Sequence, residues 1–319
     1  MQAKRKKNRW IYISVAVFTI LVFIIGGWSA LHLNQSLDAK GCFQLPEDLV
    51  DIDLPIKQSN VRFLAIGDAG TGGEDQRLLA ATIKKTCKDI GCDFVLYLGD
   101  NFYPHGVNSV SDPLFKHQFE DIYRELELPF FSVLGNHDNQ GNSKAQIYYS
   151  LKNLKWKMPN FNYGFSAGPV DFFAVNTNCA PSGMSKLHGM ISEKPNTWNV
   201  VFGHHTIFSS GIHGDTVFLM RQIWKAFFHD QVDFYISGHD HELEHLRIDT
   251  TGADYIVSGA GGKHYRNPTD RSAVKSSIAE SRFVYQDNGF VWFNAGSRRI
   301  EIRYYDSGGQ VIYRFTKKK

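Results

Sequence analysis

Five short motifs in this 319-residue chain place a glycine directly before aspartate, asparagine or histidine. In chain order they are Gly67-Asp68, Gly99-Asp100, Gly135-Asn136-His137-Asp138, Gly203-His204-His205 and Gly238-His239-Asp240-His241. Together with Tyr103, which follows Asp100 after two residues, they offer carboxylate, amide, imidazole and phenol groups. A mixed set of oxygen and nitrogen donors suits iron, zinc or manganese better than calcium or magnesium. The donors are too many for one ion, so the sequence predicts a centre of two metal ions.

The second motif supplies the two donors around which we expect the others to be arranged. The carboxylate of Asp100 has two oxygens and can therefore bridge two ions. The phenolate of Tyr103 is a hard ligand that suits ferric iron. We predict that Asp100 bridges the two metals and that Tyr103 binds one of them as Fe(III).

Each motif follows an apolar run that is typical of a buried strand. These runs are residues 61–66, 94–98, 130–134, 199–202 and 232–237. Apolar residues at helical spacing in 74–88 and 112–125 separate the first three runs, which predicts parallel strands with helical crossovers. We expect the strands to end on the same side of one sheet and so to bring the motifs together.

The remaining segments complete an α/β (α+β) fold. The pattern predicts a hairpin at 161–165 and 170–175 and a helix at 217–228. Strands are then expected at 243–248, 254–258, 289–295, 299–305 and 310–315, with a loop or short helix at 263–280. We predict one domain over residues 59–319, a four-layer α/β/β/α sandwich of two packed mixed sheets flanked by helices.

The N-terminal residues differ in composition from this domain. Residues 1–9 carry five basic side chains, and residues 10–31 contain no charged residue. A segment of that length can span a bilayer as a helix. The basic cluster before it favours a cytosolic N-terminus and an exported remainder, whether extracellular, periplasmic or lumenal. We predict a cytosolic segment (1–9), a transmembrane signal-anchor or signal peptide (10–31) and a linker (32–58). Cleavage of a signal peptide would give a secreted protein instead.

The formal net charge of +3 reflects the two termini. Five basic residues near the N-terminus and three at 317–319 account for eight of the 35, which leaves 27 basic against 32 acidic residues. The folded body is therefore mildly acidic, and this balance argues against a nucleic-acid groove.

Four cysteines, Cys42, Cys87, Cys92 and Cys179, follow the apolar segment. An even number in an exported domain permits disulfides, and Cys87 and Cys92 are close enough in sequence to pair. The alternative is four buried free thiols. No Cys-x-x-Cys pair is present, which argues against a zinc site built from these residues.

The ordered motifs GDAG, GDNFY, GNHD, GHH and GHDH resemble those of the calcineurin-like metallophosphoesterases. From residue 61 to the C-terminus they more closely resemble the small purple acid phosphatases of the tartrate-resistant type. The broad superfamily has Asp-x-His in its first motif, whereas here Asp68 is followed by Ala69 and Gly70. Tyr103 replaces the missing imidazole, as in the purple acid phosphatases.

The resemblance implies a role for each matching residue. The ferric ion would be held by Asp68, Tyr103 and His241, the divalent ion by Asn136, His204 and His239, and both by Asp100. A metal-bound hydroxide would attack phosphorus, and His137 would contact phosphate and protonate the leaving group. Asp138 would orient the His137 imidazole. Substrate would contact Asn136, His137, His205 and His213.

His205 is a departure, since the family often has tyrosine at this position. His205 either contacts substrate or merely fills the space. The other histidines that we considered are expected to be surface or structural residues, and they are His105, His117, His188, His229, His245 and His264. Asp240, between two predicted ligands, is also expected to be structural.

We therefore expect an acid phosphatase that hydrolyses phosphate monoesters at an Fe(III)–M(II) centre, where M is Fe, Zn or Mn. The substrate would be a small phosphate ester, a phosphoprotein or a nucleotide. One alternative is a phosphodiesterase or nucleotide hydrolase on the same scaffold, and another is a non-catalytic surface binding module. The expected partners include a membrane, through the N-terminal helix, and exclude nucleic acid.

Overall fold

Two seven-stranded sheets pack face to face around an aromatic core. The computed structural model describes residues 45, 47–50, 52, 59–179, 187–191, 198–228, 231–248, 252–264 and 277–319. Phe63 of the first sheet stacks on Phe293 at 4.5 Å between ring centroids and meets Phe172 of the second sheet edge-on at 5.0 Å. Such offset and edge-to-face contacts add to the free energy of simple area burial.

The first sheet has the strand order β14-β13-β12-β1-β2-β3-β4. Its strands are β1 (Asn60–Ile66), β2 (Phe94–Tyr97), β3 (Phe130–Ser132), β4 (Trp156–Lys157), β12 (Gly289–Gly296), β13 (Arg299–Asp306) and β14 (Val311–Lys318). The strands β1, β2 and β3 are parallel neighbours, as the alternation of strands and helices predicted.

The second sheet has the order β11-β9-β10-β8-β7-β6-β5. Its strands are β5 (Tyr163–Ala167), β6 (Val170–Ala174), β7 (Trp198–Phe202), β8 (Phe234–Ser237), β9 (Leu243–Arg247), β10 (Asp254–Ser258) and β11 (Glu280–Tyr285). The strands β6, β7 and β8 are parallel neighbours. The predicted fold class, two mixed sheets with flanking helices, is confirmed.

The helices connect strands on the outside of the sheets. Among the described residues they are α1 (Glu74–Ile90), α2 (Pro113–Phe115), α3 (Ser143–Tyr149) and α4 (Phe218–Phe228), with a short helical segment at 187–191, a wide helical turn at Lys116–Glu120 and 3₁₀ turns at Asp138–Gln140 and Thr177–Cys179. The prediction of one regular helix at 112–125 is therefore wrong, because the segment combines a short α-helix with the wide turn and ends at Glu120. Phe115 stacks on Tyr149 and Phe119 packs against Trp156, and this packing outweighs local helix propensity.

The sequence pattern also missed α3, β4 and β11. The strand β11 lies at the edge of its sheet, and its side chains are mostly exposed. An edge strand of this kind buries too little apolar surface to show a clear alternation of apolar and polar residues. The sequence therefore predicted only a loop or short helix at 263–280 and no strand after it.

The motif-bearing strands come from both sheets. The strands β1, β2 and β3 belong to the first sheet, whereas β7 and β8 belong to the second. The expectation that all five strands end at one sheet is therefore wrong. The motifs meet because both sheets present the ends of their parallel strands to the same edge of the sandwich.

A disulfide joins Cys87, in the last turn of α1, to Cys92 in the turn before β2. This pairing was one of the two possibilities left open by the sequence and is confirmed. Cys179 is also disulfide-bonded.

Some residues of the predicted linker contact the domain. The backbone N–H of Leu45 donates to Asn160 Oδ1 at 3.0 Å, and that of Leu49 donates to the Pro159 carbonyl at 3.0 Å. The predicted membrane segment at 10–31 lies outside the described residues. Among the residues that the structure does describe, no helix combines the length and apolar character needed to cross a bilayer.

Candidate metal centre

Three of the predicted metal ligands have a left-handed backbone, which is uncommon outside glycine. The φ angles are 55° at Asp68, 51° at Asp100 and 71° at His239. Each residue stands two or three positions after a parallel strand and turns its side chain toward the same edge of the sandwich. A backbone of this kind costs about 1–3 kcal/mol per residue and persists only where the surrounding structure enforces it.

The glycine before a ligand allows another motif to approach closely. A Cβ atom on Gly135 would lie 2.1 Å from Asp100 Oδ1, and one on Gly238 would lie 2.4 Å from Asp68 Oδ2. Side chains of the first two motifs therefore occupy the space that side chains at these glycines would need. Glycine is therefore needed at both positions because the neighbouring carboxylate leaves no room for a side chain.

One group of donors surrounds the hydroxyl of Tyr103. Tyr103 Oη lies 3.2 Å from Asp68 Oδ1 and 2.9 Å from Asp100 Oδ2. His241 Nε2 lies 3.5 Å from the same hydroxyl and 3.5 Å from Asp68 Oδ1. The phenol has one proton, so it cannot donate to both carboxylates at once.

A second group surrounds the imidazole of His204. His204 Nδ1 lies 2.9 Å from the Leu98 carbonyl, to which it donates, so a neutral ring presents the lone pair of Nε2. That nitrogen lies 3.0 Å from Asn136 Oδ1 and 3.2 Å from His239 Nδ1. Asp100 Oδ1 completes the group at 3.5 Å from His204 Nε2.

The two groups share Asp100, whose two oxygens face one group each. This arrangement fits a carboxylate that bridges two metal ions. Acceptor atoms outnumber the available protons in both groups, and a cation in each would satisfy them. Asp68, Asp100 and His204 alone place one ligand atom each within 4.8 Å of one another. The residues present therefore fit a pair of metal ions.

The electrostatics of the protein atoms also favour a cation. Burial lowers the pKa of His204, but the Asp100 and Asp68 carboxylates outweigh burial and raise it. Burial, followed by the charges of Asp68 and Asp100, raises the pKa of Tyr103 far above its ordinary value. The phenol therefore keeps its proton against two carboxylates, and only a nearby positive charge would favour the phenolate. Burial and the neighbouring histidines lower the pKa of His239, which keeps it a neutral ligand.

His137 faces the centre. Its backbone N–H donates to Asp100 Oδ1 at 2.9 Å, and Nδ1–H donates to the Pro104 carbonyl at 2.5 Å. Nε2 is then directed toward the site, 3.8 Å from Asp100 Oδ2. The ring is half-buried and lies 4.6 Å from the ring of Tyr103.

The structure corrects the expectation that Asp138 orients the His137 imidazole. The buried Asp138 carboxylate accepts N–H bonds from Gly135 at 2.8 Å, Asn101 at 3.1 Å and Phe102 at 3.2 Å. The side chain of Gln146 donates to it as well. Because these bonds join the second motif to the third, Asp138 positions the two loops and not the imidazole ring.

His205 and His213 both lie beside His239. Their ring centroids are 4.5 Å and 4.1 Å from that of His239. Burial, with the neighbouring His204, lowers the pKa of His205 to about 3. His205 Nδ1 lies 2.8 Å from Thr177 Oγ1. The backbone N–H of His213 donates to Asp240 Oδ1 at 2.9 Å, which fits the structural role expected for Asp240.

Two of the histidines left without a functional role lie beside carboxylates, and one of them, His264, also lines a cleft with His241. His245 Nε2 lies 2.9 Å from Asp254 Oδ1 in the interior, and His264 lies 3.9 Å from Asp75 and 3.7 Å from Asp287. A residue that sequence reasoning missed is Lys263, whose Nζ lies 4.2 Å from the centroid of the Tyr103 ring. No motif flagged Lys263, although it directly follows a Gly-Gly pair.

Gly135→Ala should weaken metal binding, because its Cβ would force the Asp100 carboxylate out of place. We expect a loss of about 10–100-fold in affinity, the size typical of changes that disturb ligand orientation. The measurement is titration of the purified protein with Zn²⁺, followed by calorimetry. Gly189→Ala is the matched control, because a Cβ there meets no atom within 4 Å. Equal affinities for the two variants would contradict the packing argument.

Comparison with known proteins agrees with this geometry. The calcineurin-like phosphoesterase family pattern matches residues 61–243. The chain is 32% identical to purple acid phosphatase 3 of Arabidopsis thaliana, over 81% of this chain and 77% of that protein. It is 29% identical to human tartrate-resistant acid phosphatase type 5, over 90% of this chain and 96% of that protein.

A solved structure shares the fold over most of the chain. It is described as GAP50, the anchor in the inner membrane complex of Plasmodium. It superimposes with a TM-score of 0.69 at 26% identity and covers 82% of this chain and 89% of its own. The family pattern, the acid phosphatase relatives and the paired donor groups agree, and the chain belongs to the calcineurin-like phosphoesterases as a metal-dependent hydrolase related to the purple acid phosphatases.

Proposed function

We propose that this chain is an acid phosphatase that hydrolyses phosphate monoesters at a dinuclear Fe(III)–M(II) centre, where M is Fe, Zn or Mn. The observation that carries the proposal is the division of seven donors into two groups that share Asp100. Asp68, Tyr103 and His241 would hold the ferric ion, and Asn136, His204 and His239 the divalent one. When bound, such a pair acidifies water and neutralises charge that develops on phosphorus.

The chain itself supplies the proton that hydrolysis requires. The oxygen of water bonds to phosphorus and gives up one proton, the bond between phosphorus and the ester oxygen breaks, and the ester oxygen gains a proton, so that no net proton is consumed. His137 Nε2 is the candidate donor, because Nδ1 is occupied by the Pro104 carbonyl and Nε2 faces the centre. His205 and His213 line the same side as His239, and with Asn136 they would contact the phosphate oxygens.

A phosphodiesterase or nucleotide hydrolase on this scaffold is an alternative activity. A diester lacks one of the anionic oxygens of a monoester, so it would make fewer contacts with these donors. Turnover of aryl monoesters and of aryl diesters, compared at equal concentration, distinguishes the two activities.

An anchoring role is the other candidate, and the GAP50 structure supports it, since that protein is described as an anchor. A protein that only anchors has no need for ligands, whereas this chain places seven donors together. Metal-loaded protein that hydrolyses no phosphate ester would favour the anchoring role.

We further propose that residues 10–31 hold the chain in a membrane with the catalytic domain exported. The uncharged composition of these residues and the basic cluster before them support this. A full-length chain with an N-terminal tag should stay in the membrane pellet after alkaline extraction, together with the phosphatase activity. Release of untagged activity would show that a signal peptide is cleaved and the protein secreted.

Tyr103→Phe should remove the visible absorption band that a phenolate gives when bound to ferric iron. The change deletes one oxygen at the point where Asp68 and Asp100 approach the ring. The measurement is a visible spectrum with metal analysis of the purified protein. Tyr148→Phe is the matched control, because Tyr148 is 42% exposed. Survival of both colour and activity in Tyr103→Phe would refute the iron assignment.

His137→Asn should slow hydrolysis most for esters whose leaving group must be protonated in order to depart. We expect a loss of about 10²–10⁴ in kcat for an alkyl phosphate. The loss should be much smaller for p-nitrophenyl phosphate, whose leaving group departs without protonation. His117→Asn, at an exposed histidine paired with Asp121, should change neither rate. An equal loss for both substrates would show that His137 binds phosphate without acting as the acid.

A further inference from the structure

Lys263 is held at the metal centre by the first motif. Its Nζ lies 4.2 Å from the centroid of the Tyr103 ring. The two glycines before it pack on the backbone of the first motif. The N–H of Gly261 donates to the Gly67 carbonyl at 3.0 Å, and a Cβ on Gly262 would lie 2.9 Å from the Ala69 carbonyl oxygen. The residues that position Asp68 therefore also position Lys263.

The ammonium group of Lys263 has no carboxylate partner within the described part of the chain. Asp75 and Asp287, the nearby acids, lie 3.9 Å and 3.7 Å from the ring nitrogens of His264 instead. The contact of Lys263 with Tyr103 is a cation–π contact, which leaves its N–H donors free for a ligand. A fixed positive charge without a counter-ion at an active site is an anion-binding feature.

A cleft connects this charge to the metal centre. The cleft has a volume of about 880 Å³, and its lining includes the metal ligand His241 and Lys263. Glu74 and Asp75 also line it. This space exceeds what a phosphate group needs and lies in the range of small-molecule sites, so it offers room for the rest of a substrate.

We propose that Lys263 is a specificity-determining residue that binds a second anionic group, carried by the substrate next to the phosphate that is hydrolysed. The proposal rests on the proposed function, because it takes that phosphate to lie at the metal pair beside His137. The rings of His137 and Tyr103 are 4.6 Å apart, and Lys263 contacts the same Tyr103 ring. A phosphate beside His137 therefore does not occupy Lys263, which can bind the next group of the substrate along the cleft.

The carboxylates of Glu74 and Asp75 limit how much negative charge the cleft accepts. They line the same space as Lys263 and repel further anionic groups. The substrate class that fits is a compact molecule with one additional anionic group, such as a diphosphate, and not a long polyanion.

The test compares the binding of two probes to the metal-loaded, full-length chain by calorimetry. Orthophosphate carries one anionic group, and methylenediphosphonate carries two and is not hydrolysed. Lys263→Gln should bind methylenediphosphonate about tenfold more weakly than the wild type, the size expected for one charged hydrogen bond. Its affinity for orthophosphate should change less than twofold, and its metal content should equal that of the wild type.

Two further variants test whether the effect depends on a positive charge at position 263. Lys263→Arg keeps the positive charge and should retain most of the affinity for methylenediphosphonate. Lys85→Gln removes the same charge from an exposed position on α1 and should leave both affinities unchanged. An equal loss for both probes in Lys263→Gln would show that Lys263 only supports Tyr103 and would overturn the proposal, as would no loss for either.

Hydrolysis of p-nitrophenyl phosphate by the wild type tests the proposed function separately. If the wild type hydrolyses this ester and Lys263→Gln shows no selective loss, the proposal for Lys263 fails alone. If the wild type hydrolyses no ester and the selective loss is still seen, the proposed function fails and Lys263 remains an anion-binding residue.

Discussion

The carboxylate of Asp100 joins two groups of donor atoms at the edge of the sandwich. Its two oxygens lie within 2.9 Å of Tyr103 Oη on one side and 3.5 Å of His204 Nε2 on the other, in a buried position. The Tyr103 hydroxyl and the His137 backbone N–H donate to it, whereas the neighbouring side-chain oxygens of Asp68 and Asn136 add further acceptors. Two cations would offset this excess of acceptors, and the surrounding architecture is the frame that holds the donor side chains together.

That frame depends on the two sheets packing tightly enough to enforce an unfavourable backbone. Asp68, Asp100 and His239 are left-handed, and glycines of neighbouring motifs leave room for the first two carboxylates. The Asp138 carboxylate then joins two of the loops by accepting their N–H groups. The backbone strain is concentrated at the predicted metal ligands. Packing of the aromatic interior around Phe63 supplies the free energy that holds the backbone in this conformation.

The side chains that we propose as substrate contacts lie around this frame. His205 and His213 lie beside His239, and Lys263 lies over Tyr103. His205 directly follows the predicted ligand His204, whereas Lys263 belongs to a separate loop that packs on the first motif. The same fold can serve a different purpose, since GAP50 shares it and is described as an anchor.

The sequence by itself determined the strands of the parallel cores, the order of the motifs and the donor types, because each depends on local pattern and on neighbouring residues. Only the tertiary structure decided that β7 and β8 lie in a different sheet from β1, β2 and β3. The reason is that an apolar run indicates a buried strand but not the sheet to which the strand belongs. The tertiary structure also decided that Asp138 binds backbone N–H groups instead of His137, and that Lys263 reaches Tyr103 across 160 residues of chain. Contacts between segments distant in sequence arise only when the sheets pack, and no local pattern encodes them.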